Sequence, residues 1–237
     1  MSPHCRGLTR AALRLDGPQM AEILHESIAV FGPMKAWTKV MMPALGAAGR
    51  RWANDGEQFV EVEHLLSWHI SAALRSAAVA MTPSRRGRPA LLAATPGEQH
   101  TLPLDAVAVA AAAAAQGLPF RMLGATVPGL ELIDAVRRIG PSPVVLWSQT
   151  TRSADPVLLS RLTEVTWGQA SSLVTPVVVA AGPGSIHYGR VFGVFGPRTL
   201  ESALDYLERS FSGDLMPERP LNVRGGAKQS EGRRSPS

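Results

Sequence analysis

The hydrophobic period of this chain changes once, and that change restricts it to few architectures. Up to about residue 80 the apolar residues recur at helical spacing. From residue 90 onward, short apolar runs alternate with amphipathic stretches. Between the two regimes lies Pro83-Ser-Arg-Arg-Gly-Arg-Pro89, a linker by composition. A chain of this kind builds a helical bundle followed by a parallel sheet with helices on both faces.

In the first half, Asp16 is placed to cap a helix with Pro18 in its first turn. Met20, Ile23, Leu24, Ser27 and Ile28 follow at helical spacing, and Gly32-Pro33 punctuates the run. Ala36-Trp37, Val40-Met41 and Leu45 begin the next helix, and Gly56 breaks the pattern before a long stretch from Val60 to about Ala80. There Val62, Leu66, Ile70 and Ala73 form a core stripe, while His64, Trp68, Ser71 and Arg75 form a neighbouring one. An antiparallel bundle of about four helices over residues 8–82 is expected.

In the second half, the expected strands are Ala90–Ala94, Phe120–Leu123, Val144–Trp147, Val177–Ala180 and a short one near Val191–Val194. The expected helices are Leu104–Gln116, Gly129–Ile139, Pro156–Thr166 and Thr199–Phe211. This predicts a five-stranded, doubly wound, Rossmann-like or flavodoxin-like domain over 88–212. Residues 213–237 are rich in Gly, Ser and Arg and are expected to form a disordered basic tail.

Composition narrows the function classes. Of 237 residues, 45% are hydrophobic and 5% aromatic, so the core rests on Ala, Val and Leu. The single cysteine, Cys5, precludes an intramolecular disulfide and suits a reducing cytoplasm. The start lacks the apolar core of a secretory signal, and Ala106 to Ala115 is too short to span a bilayer, so no membrane association is expected. The formal charge of +5 falls partly in the tail, with Arg219, Arg224, Lys228, Arg233 and Arg234, and partly in the linker. Charge dispersed in this way is read as solvation rather than as a nucleic-acid footprint.

Two stretches carry the chemistry. Gly97-Glu98-Gln99-His100 directly follows the first apolar strand, and the carboxyl ends of strands are where open α/β sheets bind ligands. A histidine there can offer an imidazole nitrogen to a metal while a carboxylate two residues earlier orients the ring. The other stretch runs from Trp52 to the acid–histidine pair Glu63-His64 that heads a helix. Ser148 past the third strand and Gly182-Pro-Gly184 past the fourth lie at the same sheet edge as His100. No hydrolase or kinase motif is present. The Gly182/Gly184 pair lacks the third glycine of a dinucleotide loop, and His64 and His69 are five apart, off the same-face spacing of a helix.

Taken together, Trp37, Pro43-Ala-Leu45, Gly49, Trp52, Glu63-His64-Leu65-Leu66-Ser67 and Glu98-x-His100 resemble the cobalamin-binding half of MerR-type regulators, the CarH-type and LitR-type light and cobalamin sensors. The resemblance covers about residues 8 to 211. It implies a cofactor, cobalamin and in particular adenosylcobalamin, gripped between the helical cap and the α/β domain. By the same resemblance His100 is the lower cobalt ligand and Glu98 its orienter, and Ser148, Gly182 and Gly184 line the slot for the displaced nucleotide tail. Trp52, Glu63 and His64 would cover the upper face.

This chain has Glu98 where the Asp-x-His-x-x-Gly signature has Asp, a change common among the MerR-type sensors, and it departs from the family wording at three further places. Pro103 stands where the Asp-x-His-x-x-Gly signature has Gly. Ten residues separate Trp52 from Glu63, where nine are usual, and the extra one is assigned to the Asn54-Asp55-Gly56 loop. Ala53 replaces the histidine that light-sensing relatives carry after the Trp.

The resemblance also implies a non-enzymatic sensor that can form a homo-oligomer. It would reach DNA only through a winged-helix domain preceding Leu8 or through a partner protein. Two alternatives stay open at this stage: a corrinoid protein that shuttles methyl groups, and a cofactor-free interaction module. The Ala-rich stretch Ala106–Ala115 is read either as the lining of a slot or simply as a strong helix.

Overall fold

The computed structural model describes residues 2–55, 60–81, 86–113, 117–168, 173–187 and 193–214. The helical half begins with α1 (Pro3–Leu13), earlier than the expected start at Leu8. Ser2 accepts a hydrogen bond from the Cys5 N–H, and Pro3 occupies the first turn, where its missing donor is harmless. Cys5 is consequently a core residue and fully buried. Helix α2 (Gly17–Phe31) is capped by Asp16, which accepts from the Gln19 N–H, and it ends at Gly32 with φ 73°.

Helix α3 (Pro33–Ala36) continues through a π-helical turn, Trp37–Met41, into α4 (Met42–Asp55). Pro43 explains the widened turn. It lacks the N–H that an α-helix would direct to the Lys39 carbonyl. That carbonyl instead accepts from Ser2 Oγ at 3.4 Å, which ties the start of α1 to the bulge. Helix α4 runs to Asp55, so Asn54 and Asp55, expected in a loop, are helical, and Gly56 lies outside the described residues. Helix α5 (Val60–Ala80) buries Val62, Leu66, Ile70 and Ala73 as the stripe predicts, and Leu74 and Ala78 join them.

The second half is a five-stranded parallel sheet in the order β2-β1-β3-β4-β5. The strands are β1 (Ala90–Ala94), β2 (Phe120–Gly124), β3 (Val144–Trp147), β4 (Val178–Ala181) and β5 (Val194–Phe195). Helix α6 (Leu102–Ala113) follows β1, α7 (Gly129–Ile139) follows β2, and α8 (Pro156–Glu164) follows β3. A 3-10 turn (Pro183–His187) follows β4, and α9 (Leu200–Ser212) closes the domain. Leu92, Ala94, Val145 and Val179 pack against α6 and α9, whereas Leu91, Ala93, Val144 and Val178 pack against α7 and α8. This is the two-faced burial that a near-continuous apolar strand requires.

Several boundaries differ from expectation. β4 lies one residue later than expected. β5 is confined to two residues ahead of Gly196-Pro197, since Pro197 has no N–H for a ladder. Helix α6 begins at Leu102, so Pro103 sits in its first turn, a position proline tolerates. Thr199 caps α9 through a reciprocal box with Ser202.

Helix α6 joins the halves. Ala106 belongs to the core of the bundle and Val107 to the core beneath the sheet. A helix packed on two sides needs small side chains, which gives the alanine run a third explanation beside the two expected. No helix among the described residues is long and apolar enough to cross a membrane.

Candidate cofactor site at the carboxyl edge of the sheet

The order β2-β1-β3 places the loops after β1 and β3 side by side, where the direction of winding reverses. Thr95, just past β1, donates both its N–H (2.9 Å) and its Oγ1 (3.2 Å) to the Trp147 carbonyl at the end of β3. The chain then turns through Pro96-Gly97, with the Glu98 N–H on Thr95 O at 2.9 Å, and brings the Glu98 carboxylate under the loop.

Glu98 is only 2% exposed and its carboxylate is saturated. Oε1 accepts from the Gln99 N–H at 3.0 Å, the His100 N–H at 2.8 Å and His100 Nδ1 at 3.0 Å. Oε2 accepts from the Gln149 N–H at 2.7 Å and Ser153 Oγ at 2.6 Å. Burial acts to raise the carboxyl, but the donors from Ser153, His100 and Gln149 outweigh it and hold the group at about 2. An ionised carboxylate accepts only, so the Nδ1 of His100 carries the proton in this contact. The His100 side chain is 74% exposed, and its remaining nitrogen, Nε2, is the one with a lone pair to offer.

Ser148 lies across from this pair, 1% exposed. Its N–H donates to Ala181 O at 3.0 Å, and its hydroxyl shares a hydrogen bond of 2.9 Å with Ser185 Oγ. The Gly184 N–H donates to Ser148 O at 3.0 Å. A Cβ at Gly182 would overlap the Ser148 carbonyl oxygen, and one at Gly184 would overlap that of Thr150. The two glycines therefore permit close backbone approach between the loops after β3 and β4.

The helical half supplies a second group. The backbone of Trp52 lies in α4, while its side chain falls outside the described residues. Glu63 is half-buried and His64 exposed, both in the first turns of α5. Among the described residues no hydrogen bond or ion pair joins Glu63 or His64 to Glu98 or His100. Farther along the stripe of His64, Ser71 Oγ donates to Asp105 Oδ2 at 2.7 Å and Arg75 Nε to Asp105 Oδ1 at 3.1 Å. The stripe thus meets the first turn of α6, which begins two residues after His100.

Two of these residues escaped the sequence reading. Ser153 has no local signal, because its partner is 55 positions away. Asp105 did have one: it is a lone acid at the head of an alanine run, and it proves to be 2% exposed.

A lone oriented imidazole can serve a metal centre whose other ligands come from elsewhere. Among the described residues no three His, Cys, Asp or Glu side chains gather to hold a bare ion. What the edge offers is one accessible imidazole with its other nitrogen fixed by a buried carboxylate, the arrangement that orients a single axial ligand.

Residues 5–77 match the family described as the B12 binding domain. Over 140 residues, 59% of this chain, the sequence is 34% identical to the HTH-type transcriptional repressor CarH of Myxococcus xanthus. The match takes in 46% of that protein, so the chain spans about half the length of this curated relative. The fold is similar to that of the Methanosarcina barkeri monomethylamine corrinoid protein. The TM-score is 0.59 at 16% identity, over 85% of this chain and 95% of the other.

Proposed function

We propose that this chain, a relative of the cobalamin-binding part of CarH-like regulators, holds cobalamin at the carboxyl edge of its sheet and acts as a cofactor-responsive sensor. The observation that carries the reading is the Glu98–His100 pair, with a buried ionised carboxylate on Nδ1 and an imidazole 74% exposed. Bound there, the cofactor would supply a cobalt centre with an exchangeable ligand. His100 would offer Nε2 to the cobalt, and Glu98 would fix the tautomer and the plane of the ring. Ser148, Gly182 and Gly184 line the slot for the nucleotide tail, and Trp52, Glu63 and His64 cover the upper face.

Adenosylcobalamin is the favoured form, by likeness to the light-sensing and cobalamin-sensing regulators. With alanine at position 53, His64, exposed on α5, would be the histidine open to the cofactor, since His69 lies against Gly17 of α2. The sensor's output runs through the joint at Asp105: a ligand that contacts both halves favours one arrangement of bundle against sheet, and with it one oligomeric state. It works in the cytoplasm and reaches DNA through a winged-helix domain or a partner protein.

The test is an absorption spectrum of the chain mixed with adenosylcobalamin in darkness, desalted, then illuminated. Retained cofactor with an imidazole-ligated spectrum, lost in His100→Ala, is expected. No retained cofactor would sink the reading, and methyl transfer to or from the loaded chain with a corrinoid methyltransferase would replace the sensor with a shuttle.

A further inference from the structure

The last residue of β3 carries a donor that no described residue uses. Trp147 has Ala94 of β1 and Ala181 of β4 as its register partners, so the indole stands between two methyl-sized neighbours across the middle of the sheet. It belongs to the face covered by α6 and α9 and is only partly buried there. Its ring borders the loop after β4, since a Cβ at Gly182 would come within 3.1 Å of Cδ2. Yet its Nε1 is fully buried and, among the described residues, has no hydrogen-bond partner.

An indole N–H can only donate, and buried donors in folded proteins are nearly always paired. The polar groups nearby are committed to one another. Ser148 Oγ is engaged with Ser185 Oγ, Ser148 O takes the Gly184 N–H, and both Thr95 donors use the Trp147 carbonyl. One other indole nitrogen among the described residues shares this state, that of Trp167. Trp167 packs against Gly140 and beneath Arg88, whose Cζ lies 5.7 Å from the ring centroid. Those two residues precede β3 and β1, which puts Trp167 at the opposite, amino edge of the sheet. Only Trp147 holds its spare donor beside the candidate site.

We propose that Trp147 is a ligand-binding residue, its indole flooring the slot beside Ser148 and Gly182 and its Nε1–H donating to the heteroaromatic base of the nucleotide tail. This rests on the reading above, in which His100 takes the lower cobalt position. A base displaced from cobalt regains the lone pair of its coordinating nitrogen, and that nitrogen is an acceptor in need of a donor. The flat ring of Trp147 also offers a stacking surface to a base.

The experiment compares wild type and Trp147→Phe, which keeps an aromatic ring and removes the N–H. Absorption titrations use cobalamin and cobinamide, the analogue without the nucleotide tail, and melting of the ligand-free chain is followed alongside. The expected result is cobalamin binding weakened about tenfold in the variant, cobinamide binding unchanged, and a melting temperature equal to or above that of wild type, because an unpaired buried donor is gone. Equal cobalamin affinity in both proteins, or equal loss for both ligands, would overturn the proposal.

Should the variant fold poorly, the wild type alone decides. With five tryptophans, one indole N–H resonance should move with cob(III)alamin and stay in place with cobinamide. If no resonance behaves so, the proposal fails. Wild type that binds neither compound would remove the cofactor reading and this inference with it. Wild type that binds both while Trp147→Phe behaves identically would remove the inference alone.

Discussion

The hydroxyl of Ser153 donates to Glu98 Oε2 at 2.6 Å across 55 positions of sequence. The loop after β3 therefore holds the carboxylate that holds His100, and the direction of the imidazole is set by two loops rather than one. Ser153 also accepts from the Thr150 N–H at 3.2 Å, which fixes the orientation of its own hydroxyl. Ser153→Ala should lower unfolding free energy by about 1–2 kcal/mol and weaken cobalamin binding several-fold while the chain stays folded. Denaturant titration and ligand titration check the two effects, and full affinity in the variant would detach Ser153 from the site.

The same carboxylate predicts an acid limit. Glu98 titrates at about 2 in the folded chain against an ordinary value of 4.5. Its stabilisation is complete above about 4.5 and is lost as pH falls toward 2. The difference corresponds to about 3 kcal/mol. Glu98→Gln places an amide against donors and should cost about 2–4 kcal/mol near neutrality. The gap between wild type and Glu98→Gln should narrow on going from pH 6 to pH 3, and a gap independent of pH would contradict the saturated carboxylate.

Asp105 behaves in the opposite sense. Burial pushes its carboxyl up, and the Ser71 hydrogen bond and the Arg75 charge offset this only in part. A raised carboxyl favours the folded state when protonated, so its contribution is complete below the ordinary 3.8 and declines as pH rises through the folded value. Asp105→Asn keeps an acceptor for Ser71 without the buried charge and should lie within about 1 kcal/mol of wild type at neutral pH. Asp105→Ala strands both partners at the joint between the halves and should cost about 1–3 kcal/mol. Arg75, with its side chain 60% exposed, contributes little, and Arg75→Ala should stay within about 1 kcal/mol. Thermal melts that rank Asp105→Ala above Asp105→Asn would refute this assignment.

Glycine substitutions separate loop packing from open surface. Gly182→Ala and Gly184→Ala drive a methyl into the carbonyls of Ser148 and Thr150, and Gly182 also has φ 97°. Each should cost about 2 kcal/mol or more. Gly97, directly before Glu98, would meet nothing within 4 Å, and Gly97→Ala should stay within about 1 kcal/mol. Comparable losses at all three positions would mean that the loops are held differently.

The fold was legible because each half obeys a single period. The Val62 stripe and the apolar runs at Ala90, Val144 and Val178 require no knowledge of partners. The start of α1 is readable in Ser2-Pro3, a capping serine and a first-turn proline upstream of Leu8. Glu98 and His100 could be found because carboxylate and imidazole lie two residues apart on one loop. Ser153, the Ser2–Lys39 contact and the unpaired Trp147 could not, since each depends on which distant segments the fold brings together. Asp105 lay between these cases: an isolated acid in an apolar helix implies a buried partner, but nothing local identifies it as Ser71 and Arg75.

The central claim, that the protein's own imidazole sits under cobalt, is tested most directly by electron paramagnetic resonance of cob(II)alamin bound to the uniformly nitrogen-15-labelled chain. A lower nitrogen from the protein splits each cobalt line into a doublet, and a lower nitrogen from the unlabelled cofactor splits it into a triplet. Doublets in the labelled wild type that vanish in His100→Ala are predicted. Triplets in the labelled wild type would show the cofactor's own base still on cobalt and contradict the role assigned to His100.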